Sequence, residues 1–183
     1  MLSKLLSVIF IILFSPILII VAIGILLDDG LPILFKQKRI GLNNSYFWIY
    51  KFRTMRKDTP DIATHLLNDS QSLYTMIGPF IRKYSIDELP QLINIIKGDM
   101  NFVGPRPSLH NQDDLNKLRT KVGVHTLIPG VTGWAQVNGR DELSISEKVE
   151  MDLFYKNNKS FSLDFKILFL TILKVFKADN IYI

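Results

Sequence analysis

Two adjacent carboxylates, Asp87 and Glu88, stand between Arg82 and Arg106 in the run Arg82-Lys-Tyr-Ser85-Ile-Asp87-Glu88-Leu-Pro90-Gln, which continues through Lys97-Gly98 to Gly104-Pro-Arg106-Pro107. A carboxylate used as a nucleophile on a phosphate is repelled by its target. Such a site needs cationic donors, normally with a divalent metal, to neutralise the phosphate oxygens. Arg82 and Arg106 are of the type required. Adjacent acids also occur at Asp28-Asp29, Asp113-Asp114 and Asp141-Glu142, and acids at a helix start commonly act as caps. Adjacency alone therefore leaves both readings open.

The elements that position the pair follow from a few residues. Pro90 has no amide hydrogen and is tolerated mainly in the first turn of a helix, so a helix reaching Lys97 is predicted to begin between Ser85 and Asp87, with Ser85 and Glu88 as an S-x-x-E capping box and Gly98 as the C-cap. Ile33–Ile40 and Tyr46–Thr54 flank Gly41-Leu-Asn-Asn44 and read as a β-hairpin. Alternation along the second strand puts Phe47, Ile49, Lys51 and Arg53 on one face. Two cations spaced by two residues suit a diphosphate, although a solvated strand face has the same pattern. Further helices are expected over Gln112–Val122 and over Ser144–Asn157, the latter opened by the capping box Ser144-Ile-Ser-Glu147. A glycine-rich loop lies between them, with Asn138-Gly139 as a turn that presents Arg140. Arg56–Ser72 reads as a polar surface excursion with a short helix.

Leu5–Leu27 is a run of 23 residues without charge, which as a straight helix measures about 35 Å and exceeds the roughly 30 Å hydrocarbon core of a bilayer. Pro16 near its middle frees a backbone carbonyl, and the Ser15 hydroxyl is placed to satisfy it. A sharp break returns both ends to one face; a mild kink gives a single span. Lys4 precedes the run and Lys36, Lys38 and Arg39 follow it, so the preference for basic residues on the cytoplasmic side applies to both flanks and favours re-entry. In Leu163–Lys177 the lysines Lys166, Lys174 and Lys177 fall within about 80° on a helix, opposite Phe165, Leu168, Phe169, Ile172 and Phe176. Such a basic amphipathic helix either lies at a membrane interface or packs on the core with its lysines in water.

With 183 residues the chain accommodates one domain plus at most one membrane element. The net charge of +5 fits an anionic partner, yet 48% apolar residues and a mean hydropathy of +0.19 argue against a nucleic-acid binder. Anionic lipid or a nucleotide sugar fits better. The absence of cysteine excludes disulfides and thiolate metal sites, and His65, His110 and His125 are too scattered for zinc spacing. No Walker loop, G-x-G-x-x-G or G-x-S-x-G occurs.

The run Ser85-Ile-Asp-Glu-Leu-Pro-Gln-Leu-Ile-Asn94, with Lys97-Gly-Asp-Met100 and Gly104-Pro-Arg-Pro107, resembles the signature of the bacterial sugar transferases that are monotopic phosphoglycosyl transferases. Tyr50-Lys-Phe-Arg-Thr-Met55, Pro129-Gly-Val-Thr-Gly-Trp-Ala-Gln-Val-Asn-Gly-Arg140 and the Ser15-Pro16 pair in the apolar N-terminus agree with it, in order along the chain. The resemblance implies an α+β, helix-dominated protein with a small β-hairpin, a re-entrant helix-break-helix over residues 1–30 and a cytoplasmic transferase domain over 31–183 with interfacial amphipathic helices. It implies location on the cytoplasmic face of the bacterial inner membrane, in contact with membrane lipid, and leaves a homo-oligomer open. It further implies transfer of a sugar 1-phosphate from a UDP-sugar to undecaprenyl phosphate with release of UMP, as the first membrane step of glycoconjugate synthesis. In that scheme Asp87 is the nucleophile of a covalent phosphosugar-aspartyl intermediate. Glu88 completes the pair, and Mg²⁺ or Mn²⁺ is held by both. Arg82 and Arg106 bind phosphate or nucleotide, and Lys51, Arg53, Arg140 and Asp152 have secondary roles. Pro79 after Gly78, where relatives often carry a cation, and Asn44, where glycine is common, depart from the pattern. A membrane-anchored binding protein for anionic lipid or nucleotide sugar is the rival expectation, and it needs no Asp87.

Overall fold

The computed structural model describes residues 2–57, 59, 73–139 and 142–177, so Arg140 and most of the Arg56–Ser72 excursion lie outside the described residues. The chain opens with α1 (Leu2–Asp29), followed by the antiparallel hairpin β1 (Leu34–Ile40) and β2 (Tyr46–Phe52), in register from Leu34 opposite Phe52 to Ile40 opposite Tyr46. Asn43 and Asn44 carry the turn at φ 52° and 60°. Asparagine tolerates this left-handed region better than most residues, which accounts for Asn44 in the place of a glycine. Next come α2 (Gly78–Lys83), a 3₁₀ turn at Ile86–Glu88, α3 (Gln91–Lys97), β3 (Asn101–Val103) and α4 (Asp113–Lys121). They are followed by β4 (Gly130–Thr132), α5 (Trp134–Val137), α6 (Ile145–Asn158) and α7 (Phe161–Lys177).

The helix-dominated α+β reading and the hairpin match this order. Two local expectations do not. Ser85 makes no capping hydrogen bond; it sits at φ 54°, and the segment turns through the 3₁₀ element before α3 begins at Gln91, with Pro90 as the N-cap residue. The expected glycine-rich loop contains β4, which pairs in parallel with β3 through Asn101–Gly130 and Val103–Thr132. A Cβ built on Gly104 would lie 2.4 Å from the Ile128 carbonyl oxygen, and one on Gly130 would lie 2.1 Å from the Gly104 amide nitrogen. The glycines therefore serve close backbone packing rather than flexibility. The Ser144–Glu147 capping box forms on both sides, and Gly98 closes α3 at φ 94°.

The expected helix-break-helix is one continuous 28-residue helix carrying Pro16. The freed carbonyl is handled as anticipated: Ser15 Oγ donates to the Ile12 oxygen, four residues before Pro16, at 2.8 Å. One stripe of α1 packs against the rest of the protein along its length. A Cβ on Gly98 would lie 3.2 Å from Lys4 Nζ. Phe10 meets Phe102 edge-on with ring centroids 5.7 Å apart, and Val21 and Ile25 are buried with Phe52 and Ile81. At the far end Arg53 Nη2 donates to the carbonyls of Asp29 and Gly30 at 3.0 and 2.8 Å. With the buried Ser7 and with Ile11, Leu18 and Ala22, which pack on the same core clusters, these positions mark out one helix face. The opposite face, including Leu5, Ile12, Ile20 and Leu27, is exposed.

The seventh helix is also one-sided. Ile167 is fully buried, while Phe161, Phe165, Phe169, Ile172 and Phe176 point outward. Of the expected apolar face only Leu168 packs on the core; Ile167, Leu163 and Leu170, nearer the lysine side, supply the rest of that contact. α1 and α7 thus each present a row of exposed apolar side chains, a surface of the kind that marks contact with a partner or a membrane.

Candidate active site

Asn94 joins α3 to β2. It is fully buried; its Oδ1 accepts from the Tyr50 amide at 3.1 Å and its Nδ2 donates to the Trp48 carbonyl at 2.7 Å. Leu92 and Ile95 pack beside it on Phe47 and Ile49. This docking sets the turn before α3 over β2, so that Lys51 Nζ reaches Glu88 Oε1 at 2.7 Å. Arg106 approaches the same oxygen from the loop after β3, with Nη2 at 3.4 Å. Asp87 beside it is 8% exposed.

Burial pushes the Asp87 carboxyl up to about 6 from 3.8; Lys51 opposes this, Glu88 adds to it, and Arg82 and Arg106 oppose it. Burial likewise lowers Lys51 below the usual lysine value, against the attraction of Glu88. Arg82 on α2 donates through Nη1 to the Tyr74 hydroxyl at 3.1 Å and lies 5.5 Å from the centre of that ring. Five residues singled out from sequence thus converge: Asp87, Glu88, Lys51, Arg82 and Arg106. The arrangement is a desolvated, ionisable carboxylate among three cations, suited to attack on an anionic phosphorus centre.

The other named residues are placed elsewhere. Lys51 and Arg53 share a strand face but not a ligand, since Arg53 is 5% exposed and ion-paired to Asp29 at 3.0 Å beneath the end of α1. Asp152 on α6, 1% exposed, accepts from Arg119 Nε at 2.9 Å, and Arg119 Nη1 donates to the Arg106 carbonyl at 2.8 Å. Asp152 therefore acts on the cluster through Arg119 and the Arg106 backbone. Ser15 and Pro16 lie within α1. Asn94 and Arg119 were not singled out from sequence; Asn94 stood inside the quoted motif, whereas a lone arginine on α4 gave no signal.

An apolar groove of about 250 Å³ adjoins the pair, lined by Glu88 and Arg106 on one side and by Phe10, Phe14, Phe102 and Val175 on the other. The site thus sets a carboxylate pair with cations on a turn beside a helix that is long and apolar enough to cross a membrane. The chain belongs to the bacterial sugar transferase family, whose model matches residues 1–178. It is 45% identical over 176 residues to the uncharacterized sugar transferase EpsL of Bacillus subtilis (strain 168), covering 96% of this chain and 86% of that one. It is 41% identical over 187 residues to undecaprenyl-phosphate glucose phosphotransferase of Komagataeibacter xylinus, covering 96% of this chain and 35% of the relative. It is also 39% identical over 171 residues to UDP-N-acetylgalactosamine-undecaprenyl-phosphate N-acetylgalactosaminephosphotransferase of Aeromonas hydrophila, covering 91% and 40%. The chain thus spans well under half the length of these two named transferases.

Proposed function

We propose that this protein transfers a sugar 1-phosphate from a UDP-sugar to undecaprenyl phosphate. The observation that carries the reading is the buried Asp87 beside Glu88, with Lys51 and Arg106 ion-paired to Glu88 and the charges of Lys51, Arg82 and Arg106 all acting on Asp87. In the first step an Asp87 oxygen attacks the β-phosphorus, the bond to the bridging oxygen breaks, and UMP leaves with the electron pair. In the second step an oxygen of the lipid phosphate attacks the same phosphorus, and the Asp87 carboxylate leaves. The products are undecaprenyl-diphosphate-sugar and UMP, and Asp87 returns unchanged. Lys51 and Arg106 neutralise Glu88 and the phosphate oxygens, and Arg82 holds phosphate. The test is UMP release by the detergent-solubilised protein across a panel of UDP-sugars with a polyprenyl phosphate. Absence of UMP with every donor would reject the reading.

The donor set suits a hard divalent cation. Mg²⁺ is commonly held by one or two carboxylates with substrate phosphates completing its shell, and Asp87 and Glu88 supply that number beside the cluster. When bound, Mg²⁺ or Mn²⁺ would neutralise phosphate charge. Activity is expected to stop in excess EDTA and return with Mg²⁺; full turnover in EDTA contradicts the metal.

Membrane attachment is proposed to be monotopic, on the cytoplasmic face of the inner membrane. Both ends of α1 pack on the same domain, at Gly98 and at Arg53, which supports entry into one leaflet from one side; α7 lays its aromatic face in the same interface. With no native cysteine, Ser3→Cys and Asn157→Cys are expected to react alike with an impermeant thiol reagent, both shielded in spheroplasts and both labelled in inverted vesicles. Labelling of Ser3→Cys alone in spheroplasts would establish a spanning helix.

A further inference from the structure

The groove beside Glu88 and Arg106 contains polar groups that the reaction scheme leaves unused. Lys174 of α7 lines it, half-buried, and so does Gln136 of α5. Both side-chain amide atoms of Gln136 are buried without a hydrogen-bond partner. A buried amide left unpaired is costly, and an orphan facing a cavity calls for a ligand or water to satisfy it. Two other polar members of the lining, Thr132 and Thr171, already bond each other at 2.7 Å. Apart from Ser85 the remaining walls are apolar, and most come from α1, α3, β3, β4, α5 and α7.

We infer that this groove holds the phosphate-proximal end of the isoprenoid acceptor, with Lys174 and Gln136 binding its phosphate. The inference rests on the transferase reading above and assigns the acceptor side of that site. Three features select a phosphorylated isoprenoid over a nucleotide. The walls are apolar, with Phe10, Phe14 and Phe102 among them. The groove lies between α1 and α7, whose outer faces are exposed and apolar, so an entering chain continues into lipid. Its volume of about 250 Å³ is below the ~300 Å³ at which pockets for whole drug-sized molecules begin, which suits one end of a long molecule. Lys174 and Arg106 on the lining provide positive charge for a phosphate, and the Gln136 Nε2 hydrogens provide neutral donors.

The test uses the full chain in nanodiscs and compares wild type with Lys174→Ala, Lys174→Arg and Gln136→Leu. Initial rates are measured against undecaprenyl phosphate and against UDP-sugar, together with the single burst of UMP formed without acceptor. Loss of a charge-assisted hydrogen bond predicts a rise of about tenfold in acceptor KM for Lys174→Ala, with recovery in Lys174→Arg. The UDP-sugar KM and the burst are expected to stay unchanged. Equal effects on donor and acceptor KM, or an unchanged acceptor KM, would overturn the inference. Independently of turnover, a photoreactive farnesyl phosphate should crosslink to α1 or α7 and be displaced by undecaprenyl phosphate. Displacement by phosphatidylglycerol alone would make the groove an ordinary lipid site and overturn the assignment. A wild-type protein that forms no UMP would sink the transferase reading, while the crosslink still decides the groove.

Discussion

Asp87→Asn is expected to lower turnover by about a thousandfold or more while the protein keeps its fold and becomes more heat-resistant at pH 8. The amide preserves shape but removes the nucleophilic lone pair and the charge, and loss of a covalent nucleophile is among the largest single effects known in enzymes. The stability gain follows from the raised carboxyl, at about 6 in the folded protein against 3.8. Between these values the folded state binds more protons than the unfolded one, so stability falls as pH rises through the window, and above pH 6 ionised Asp87 destabilises the fold. Asparagine removes that penalty, and each kcal/mol regained raises Tm by about 2–4 °C in a protein of this size. The gain should shrink as pH falls from 6 and vanish below the unfolded value of 3.8, where both states carry the protonated acid. The same titration predicts that wild-type kcat/KM falls below about pH 6. Retained turnover in Asp87→Asn would remove it as nucleophile; a loss of stability at pH 8 would contradict its buried, desolvated setting.

Asp152→Ala should produce the largest loss of stability. It leaves Arg119, 8% exposed, as a buried cation without its carboxylate, and breaking such a pair costs about 3–5 kcal/mol. Tm is expected to fall by roughly 10 °C. Turnover should fall as well, because Arg119 then no longer holds the Arg106 carbonyl in place. Replacing both partners, with Asp152→Leu and Arg119→Met, should be milder than Asp152→Ala, since no lone charge remains. A change below about 1 kcal/mol in denaturant titrations of Asp152→Ala would show the pair to be solvated and the argument wrong.

Local signals carried most of what could be read from the sequence. The β1–β2 hairpin, α4, α6 with its Ser144–Glu147 box and the Gly98 cap depend on neighbours within a few residues, and motif residues Asp87, Glu88, Lys51, Arg82 and Arg106 do meet. What escaped depends on distant partners. The β3–β4 pair joins strands of three residues each across a long separation, too short for alternation to register. Ser85 had the residue type of a cap, but it sits in the left-handed region, a 3₁₀ turn follows it, and α3 starts only at Gln91 after Pro90. Arg53 matched the spacing of a phosphate-binding cation, and only the return of α1 to the domain reveals its carbonyl partners. Arg119 matters through Asp152, 33 positions away.

The way α1 is held has a practical consequence for anyone handling the protein. Phe10 and Ile11 close one core cluster, and Val21 and Ile25 complete another, so this helix is an interior wall as well as an apolar outer surface. Trimming residues 2–29 to obtain a water-soluble catalytic fragment would open both clusters to solvent and strip Arg53 of the carbonyl and carboxylate of Asp29. The trimmed chain should aggregate rather than dissolve. Extraction conditions must coat the outer face of the helix while leaving its inner face seated, which favours mild, bulky amphiphiles over small ones able to wedge between helix and domain.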